Sequence, residues 1–120
     1  METPSPLKGI RVLDLTQVFA GPYCTYELAL LGADIIKVEP PGGEQTRFGG
    51  AIEELNEQGL GLSFCAQNAN KDCVEIDLKT EDGVEALLTL ADEVDVFVQN
   101  YRTGVIERMG QGEKVIRARN

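Results

Sequence analysis

A doubly wound, Rossmann-like α/β fold, with helices on both faces of a parallel sheet, is the class this sequence predicts. Three observations lead to it. Four short apolar runs have strand character, helical patterns fall between them, and the connections suit crossovers rather than hairpins.

The first run, Ile10–Leu15 (IRVLDL), reads as a strand, and Thr16–Pro22 with its Gly21-Pro22 pair reads as a turn. A helix over Tyr23–Leu31 follows, apolar nearly all round and stopped by Gly32 at C′. Ile35–Glu39 (IIKVE) is the second strand, parallel to the first because a helix separates them. Pro40-Pro41-Gly42-Gly43 breaks the chain, and the stretch to Gly61 reads as a long loop with one helical turn, serving either as a ligand wall or as a surface excursion. Leu62–Ala69 reads as a short helix and Cys73–Leu78 (CVEIDL) as the third strand. Thr80 then caps the clearest helix: Glu81 and Asp82 favour its positive end, and Val84, Leu87, Leu88 and Ala91 share one face. Val94–Gln99 (VDVFVQ) is the fourth strand, and Val105–Met109 and Glu113–Arg119 read as two closing helices.

Residues 1–120 form one α/β domain, since a chain of this length supports a single core. Three cysteines without C-x-x-C spacing and no histidine argue against a disulfide framework and against any metal. The missing histidine also removes Ser-His-Asp and Cys-His catalysis within the chain. A net charge of −9 repels nucleic acid and anionic lipid. No run reaches membrane-spanning length and the start has no leader pattern, so the expected location is the cytoplasm.

In open parallel sheets ligands bind beyond the carboxyl ends of the strands, which selects the segments after Leu15, Glu39, Leu78 and Gln99. Thr16–Pro22 leads into a helix N-terminus able to hold an anion, although the same residues also suit a purely structural tight turn. A dinucleotide fingerprint needs three glycines at this turn, which holds one, so Glu39 at a ribose-binding position stands alone. Cys24 reads as a small core residue on the first helix.

The segments LKGIRVLDLT (7–16), AGP (20–22) and LGADIIKVE (31–39) resemble the opening of the class III CoA-transferases, the CaiB/BaiF-like family of formyl-CoA transferase. Asn70-Lys71 with VEIDLKT (74–80) is similar to the family's NKRSI-x-LDLKT stretch, and DVFVQNYR (95–102) with ERMG (107–110) to its DVLVENFRPG…ERLG stretch. The likeness runs from Leu7 to Asn120 and implies the front part of the family's large domain. It implies transfer of CoA between carboxylic acids, with acyl-CoA and coenzyme A as ligands.

By resemblance, Gln17, Val18, Phe19, Ala20, Lys71, Asn100 and Arg108 face the coenzyme. Three departures make that site partial: Gln17 where relatives often carry His or Arg, Pro40 in place of an arginine, and Asp72 in place of the arginine after the lysine. In the family an aspartate attacks the acyl-CoA carbonyl, and the released thiolate converts the resulting anhydride to an enzyme thioester. No residue here matches that aspartate, because Asp14, Asp77 and Asp95 match structural positions, so no catalytic residue is assigned and the chain alone is expected to be inactive. The competing reading is a non-catalytic interaction or oligomerisation module that associates with itself or with a longer relative. A further reading has transferase chemistry completed by a second polypeptide.

Overall fold

Side chains alternate across a strand, and here the alternation separates two chemistries. A computed structural model describes residues 4–120. Met1–Thr3, part of the start read above as lacking a leader, lie outside the described residues. Strands β1 (Arg11–Asp14), β2 (Asp34–Glu39), β3 (Lys71–Glu75) and β4 (Val96–Val98) form one parallel sheet in the order β3-β2-β1-β4.

On one face, Leu13, Leu15 and Val38 pack with Ile76 against helix α4 (Glu81–Ala91) through Leu87 and Ala91. Ile106 of α5 (Val105–Arg108) joins this core, and Ile116 of α6 (Glu113–Arg119) packs against it. On the other face, Val12 and Ile35 pack against Leu28 and Ala29 of α1 (Ala20–Leu30). Further along that second face the alternation delivers Asp14, Lys37 and Glu39, all buried. Helices on both faces complete the doubly wound architecture that the strand pattern predicts.

Helix α1 begins at Ala20 rather than Tyr23, so Gly21-Pro22 lies in its first turn. Proline is tolerated there because a first-turn N–H has no intrahelical partner. The helix stops in a Schellman arrangement: Gly32 has φ 98°, its N–H donates to Ala29 O at 3.0 Å, and Ala33 N–H donates to Leu28 O at 3.1 Å. Thr80 caps α4 as expected, accepting from Gly83 N–H at 3.0 Å. Gly83 leaves space that a Cβ would fill by clashing with the Asp77 carbonyl, so the cap needs both residues.

Several expectations need correction. The third strand spans Lys71–Glu75, because pairing with β2 opposes Ile35 to Lys71 and Glu39 to Glu75. Only one further ladder bond, Ile76 N–H to Glu39 O, continues it before the chain turns into α4. The long loop holds a 3-10 turn at Gln45–Phe48 and a short helix, α2 (Glu53–Glu57), before α3 (Leu62–Asn68). Cys24 is exposed, because α1 seats Pro22 and Thr25 inward and turns Cys24 away.

Candidate functional site: the crevice between the first and fourth strands

With β2 and β3 on one side of β1 and β4 on the other, the strand order reverses between β1 and β4. A crevice opens at such a switch point, beyond the carboxyl ends of the two strands. The two segments that leave these ends meet there. Asn100 brackets residue 17: its Oδ1 accepts from Gln17 N–H at 2.9 Å and its Nδ2 donates to Gln17 O at 2.9 Å. A Cβ on Gly21 would collide with the Thr16 side chain and lie 3.1 Å from Asn100 Cγ, so the glycine permits this close approach. Beyond the bracket, Val18 has φ 70°, a conformation disfavoured for a β-branched residue, and Phe19 is 67% exposed. Helix α1 then starts with no side-chain cap and no acidic residue in its first turn, leaving its positive end open.

Beneath this turn lies a floor of buried charge. Asp14 Oδ1 accepts from the Thr16 N–H at 2.8 Å and from the Thr16 hydroxyl, while Oδ2 accepts from Thr25 Oγ1 at 2.6 Å and Lys71 Nζ at 3.0 Å. The fully buried Lys71 ammonium also has Pro22 O at 3.0 Å, Thr25 Oγ1 at 2.7 Å and Asn68 Oδ1 at 2.9 Å within reach, so its three N–H groups are shared among four acceptors. Burial lowers the Lys71 pKa, and its pairing with Asp14 only partly opposes this. Lys37 Nζ donates to Thr16 O at 2.8 Å and lies 2.8 Å from Glu44 Oε2, a charge contact without hydrogen-bond geometry.

Next to it, Glu39 accepts a forked pair from Arg47, Nε to Oε1 at 2.6 Å and Nη2 to Oε2 at 2.7 Å. The guanidinium also lies over the Phe64 ring, 3.8 Å from its centre. Burial works to raise the Glu39 carboxyl, but the Arg47 hydrogen bonds, the Glu44 amide and the nearby cations outweigh it and hold the group below its ordinary value. Glu39 is thereby committed to Arg47 and is not available as a ribose acceptor.

The structure brings Gln17, Val18, Phe19, Ala20 and Asn100 together at the crevice. Lys71 sits behind the turn instead of in it, its buried ammonium surrounded by four acceptors. Arg108 is exposed and lies apart, lining a groove of about 390 Å³ with Lys79, Thr80 and Met109. Sequence reasoning missed Lys37, Glu44 and Arg47. One signal was readable: a lysine inside a parallel strand covered on both faces demands an acidic partner. Asp14, Asp77 and Asp95 all have internal hydrogen-bond donors, the last two from Lys79 N–H at 3.0 Å and Arg11 N–H at 2.9 Å. Among the described residues no group of His, Cys, Asp or Glu is arranged to hold a metal, and no helix is long and apolar enough to cross a membrane.

Comparison with known proteins places this geometry. Over 115 residues the chain is 43% identical to the succinyl-CoA:mesaconate CoA-transferase of Haloarcula hispanica, covering 95% of this chain and 29% of that protein. It is 42% identical over 107 residues to the formyl-CoA:oxalate CoA-transferase of Escherichia coli, covering 88% of this chain and 25% of that one. A crystal structure of an aspartate-to-alanine variant of Rv3272 from Mycobacterium tuberculosis superposes with a TM-score of 0.87 at 42% identity, over 97% of this chain and 30% of the other. The chain thus spans less than a third of the length of the curated relatives it matches. The family model for CoA-transferase family III matches residues 7–120, and the chain belongs to that family, corresponding to an N-terminal segment of it.

Proposed function

We propose that this segment forms the coenzyme A-facing wall of an enzyme that transfers CoA between carboxylic acids, and that it binds the coenzyme only partially by itself. The observation that carries the reading is the bracket between Asn100 and Gln17. It fixes the turn before an uncapped helix N-terminus at the switch point of the sheet, where an anionic ligand gains most from open backbone N–H groups. Gln17, Val18, Phe19 and Ala20 face the ligand, and Asn100 sets their register. Arg108 contributes an exposed cation from a separate groove, while Lys71 acts from behind by holding Pro22, Thr25 and Asp14 in place.

Transfer chemistry needs a carboxylate free to attack the acyl carbonyl. Of the aspartates singled out within this segment, Asp14 is buried and bound by Thr16, Thr25 and Lys71, while Asp77 and Asp95 each hold one backbone N–H, of Lys79 and of Arg11. By resemblance to the family, the nucleophilic aspartate belongs to the part of the family's chain outside the matched region, which also supplies most of the acyl pocket. Exposed Tyr23, Leu30 and Leu31 on the outer side of α1 support association with that remainder or with a second chain.

Titration calorimetry with coenzyme A tests the reading. Weak binding that falls further as salt rises is expected, because the contacts are charge-assisted and partly exposed. Absence of any heat at millimolar coenzyme contradicts it.

A further inference from the structure

We infer that Glu44 is a positioning residue: it holds Val18 in the left-handed backbone region and so shapes the turn that faces the coenzyme, an inference that rests on the coenzyme-binding reading above. The backbone of three consecutive residues is gripped from three directions. Lys37 Nζ takes the Thr16 carbonyl at 2.8 Å, Asn100 takes both polar groups of Gln17 at 2.9 Å, and Glu44 Oε1 takes the Val18 N–H at 2.7 Å. Only the last grip falls on a strained residue, since φ 70° is a genuine outlier for a β-branched side chain.

Glu44 is built for the task. It is buried and its own N–H donates to Glu39 Oε1 at 2.9 Å. The Oε1 that holds Val18 also accepts from Thr46 Oγ1 at 2.8 Å, and Lys37 supplies the compensating charge. Strain of this kind persists only where surrounding structure over-determines it, and it clusters where a ligand must be met. Two consequences follow. The Val18 N–H is consumed internally and is closed to a ligand, so recognition at this turn passes to the amides that open α1. The left-handed residue also turns the chain so that Phe19 projects into solvent instead of onto the sheet.

The test uses glycine, which adopts positive φ without steric cost. In K37M/E44A both buried charges leave together, so neither is orphaned. Circular dichroism should report a retained fold. The Val18 amide should exchange with solvent about tenfold or more faster, its Cα shift should move away from the left-handed value, and coenzyme A affinity should fall by about tenfold. Adding V18G should recover at least about threefold of that loss, because residue 18 then needs no anchor; the remainder belongs to the Thr16 carbonyl, which lacks Lys37 in both variants. Unchanged Val18 exchange in K37M/E44A, or failure of V18G to restore affinity, overturns the inference. The single variant V18G requires no loss of charge and should melt no lower than the parent; a marked drop shows that residue 18 was not strained. If the parent chain binds no coenzyme, the binding proposal fails by itself, and amide exchange, the Cα shift and the V18G melting temperature still decide whether Glu44 holds Val18.

Discussion

Glu39 and Arg47 show how one ion pair can matter more than the surface charges around it. Glu39 is 2% exposed and its forked partner satisfies both oxygens, so removal of the guanidinium leaves a buried carboxylate whose remaining hydrogen bond is the Glu44 N–H on Oε1. R47A is expected to lose about 3 kcal/mol of unfolding free energy, measured by urea titration at neutral pH. The sign of the pH dependence follows from the direction of the shift. The folded carboxyl sits below its ordinary value near 4.5, so its contribution is complete above that value and is lost as the pH falls through the lower folded one. R47A removes the largest depressing contact and leaves only the Glu44 amide and Lys37 against burial, so the group rises. Acidification from about pH 6 to about pH 3.5 should therefore cost the variant less stability than the parent, and an equal loss in both argues against this account. Arg119 and Asp92 pair with similar geometry at the surface, yet solvent screens them and no comparable effect is expected.

At the level of elements, local chemistry decides the helices more than the strands. Helix α4 carries its own start signal, since Thr80 caps Gly83 N–H and Glu81 and Asp82 meet the positive end. T80A should cost about 1 kcal/mol in a urea titration and T80S should cost little. If the two substitutions behave alike, the cap is not what holds the helix start. Strands behave differently because their limits are set by partners. The apolar alternation of Cys73–Leu78 suggested a strand two residues later than the observed β3, and the discrepancy is one of register. Lys71 and Asp72, polar in sequence, pair with Ile35 and Ile36, while Ile76, held by a last ladder bond to Glu39 O, already enters the core under α4. The exposed Cys24 has the same origin: a helix apolar on every side does not reveal which side meets the sheet.

Across the whole molecule, buried polar groups divide into those with partners and those without. The Asp14–Lys71 and Glu39–Arg47 clusters are satisfied. Gln111 is fully buried with neither amide atom hydrogen-bonded, beside a groove of about 520 Å³ along the open edge of β4 between α5 and α6. An unpaired buried amide costs more than an apolar group of similar size, so Q111L should stabilise the isolated chain by about 1 kcal/mol and raise its melting temperature by roughly 3–6 °C. A lower melting temperature shows that the amide has a partner in solution. The sequence by itself determined the class of fold, the alternation of strands and helices, the cap at Thr80 and the family. These rest on short-range patterns: period, turn residues and motif spacing lie within a few neighbouring positions. Gln17 and Asn100 were legible as candidates through the family resemblance, and both fall in segments just beyond strand ends that the sheet topology also selects. Only the tertiary structure decided that Asn100 grips Gln17 across 83 positions of chain, that Lys71 is a buried anchor, and that Glu44 and Lys37 pin the turn around Val18. Those pairings depend on strand order and register, which bring together residues that no local pattern connects, and on burial, which turns a lysine from a solvated charge into a group that must find its acceptors.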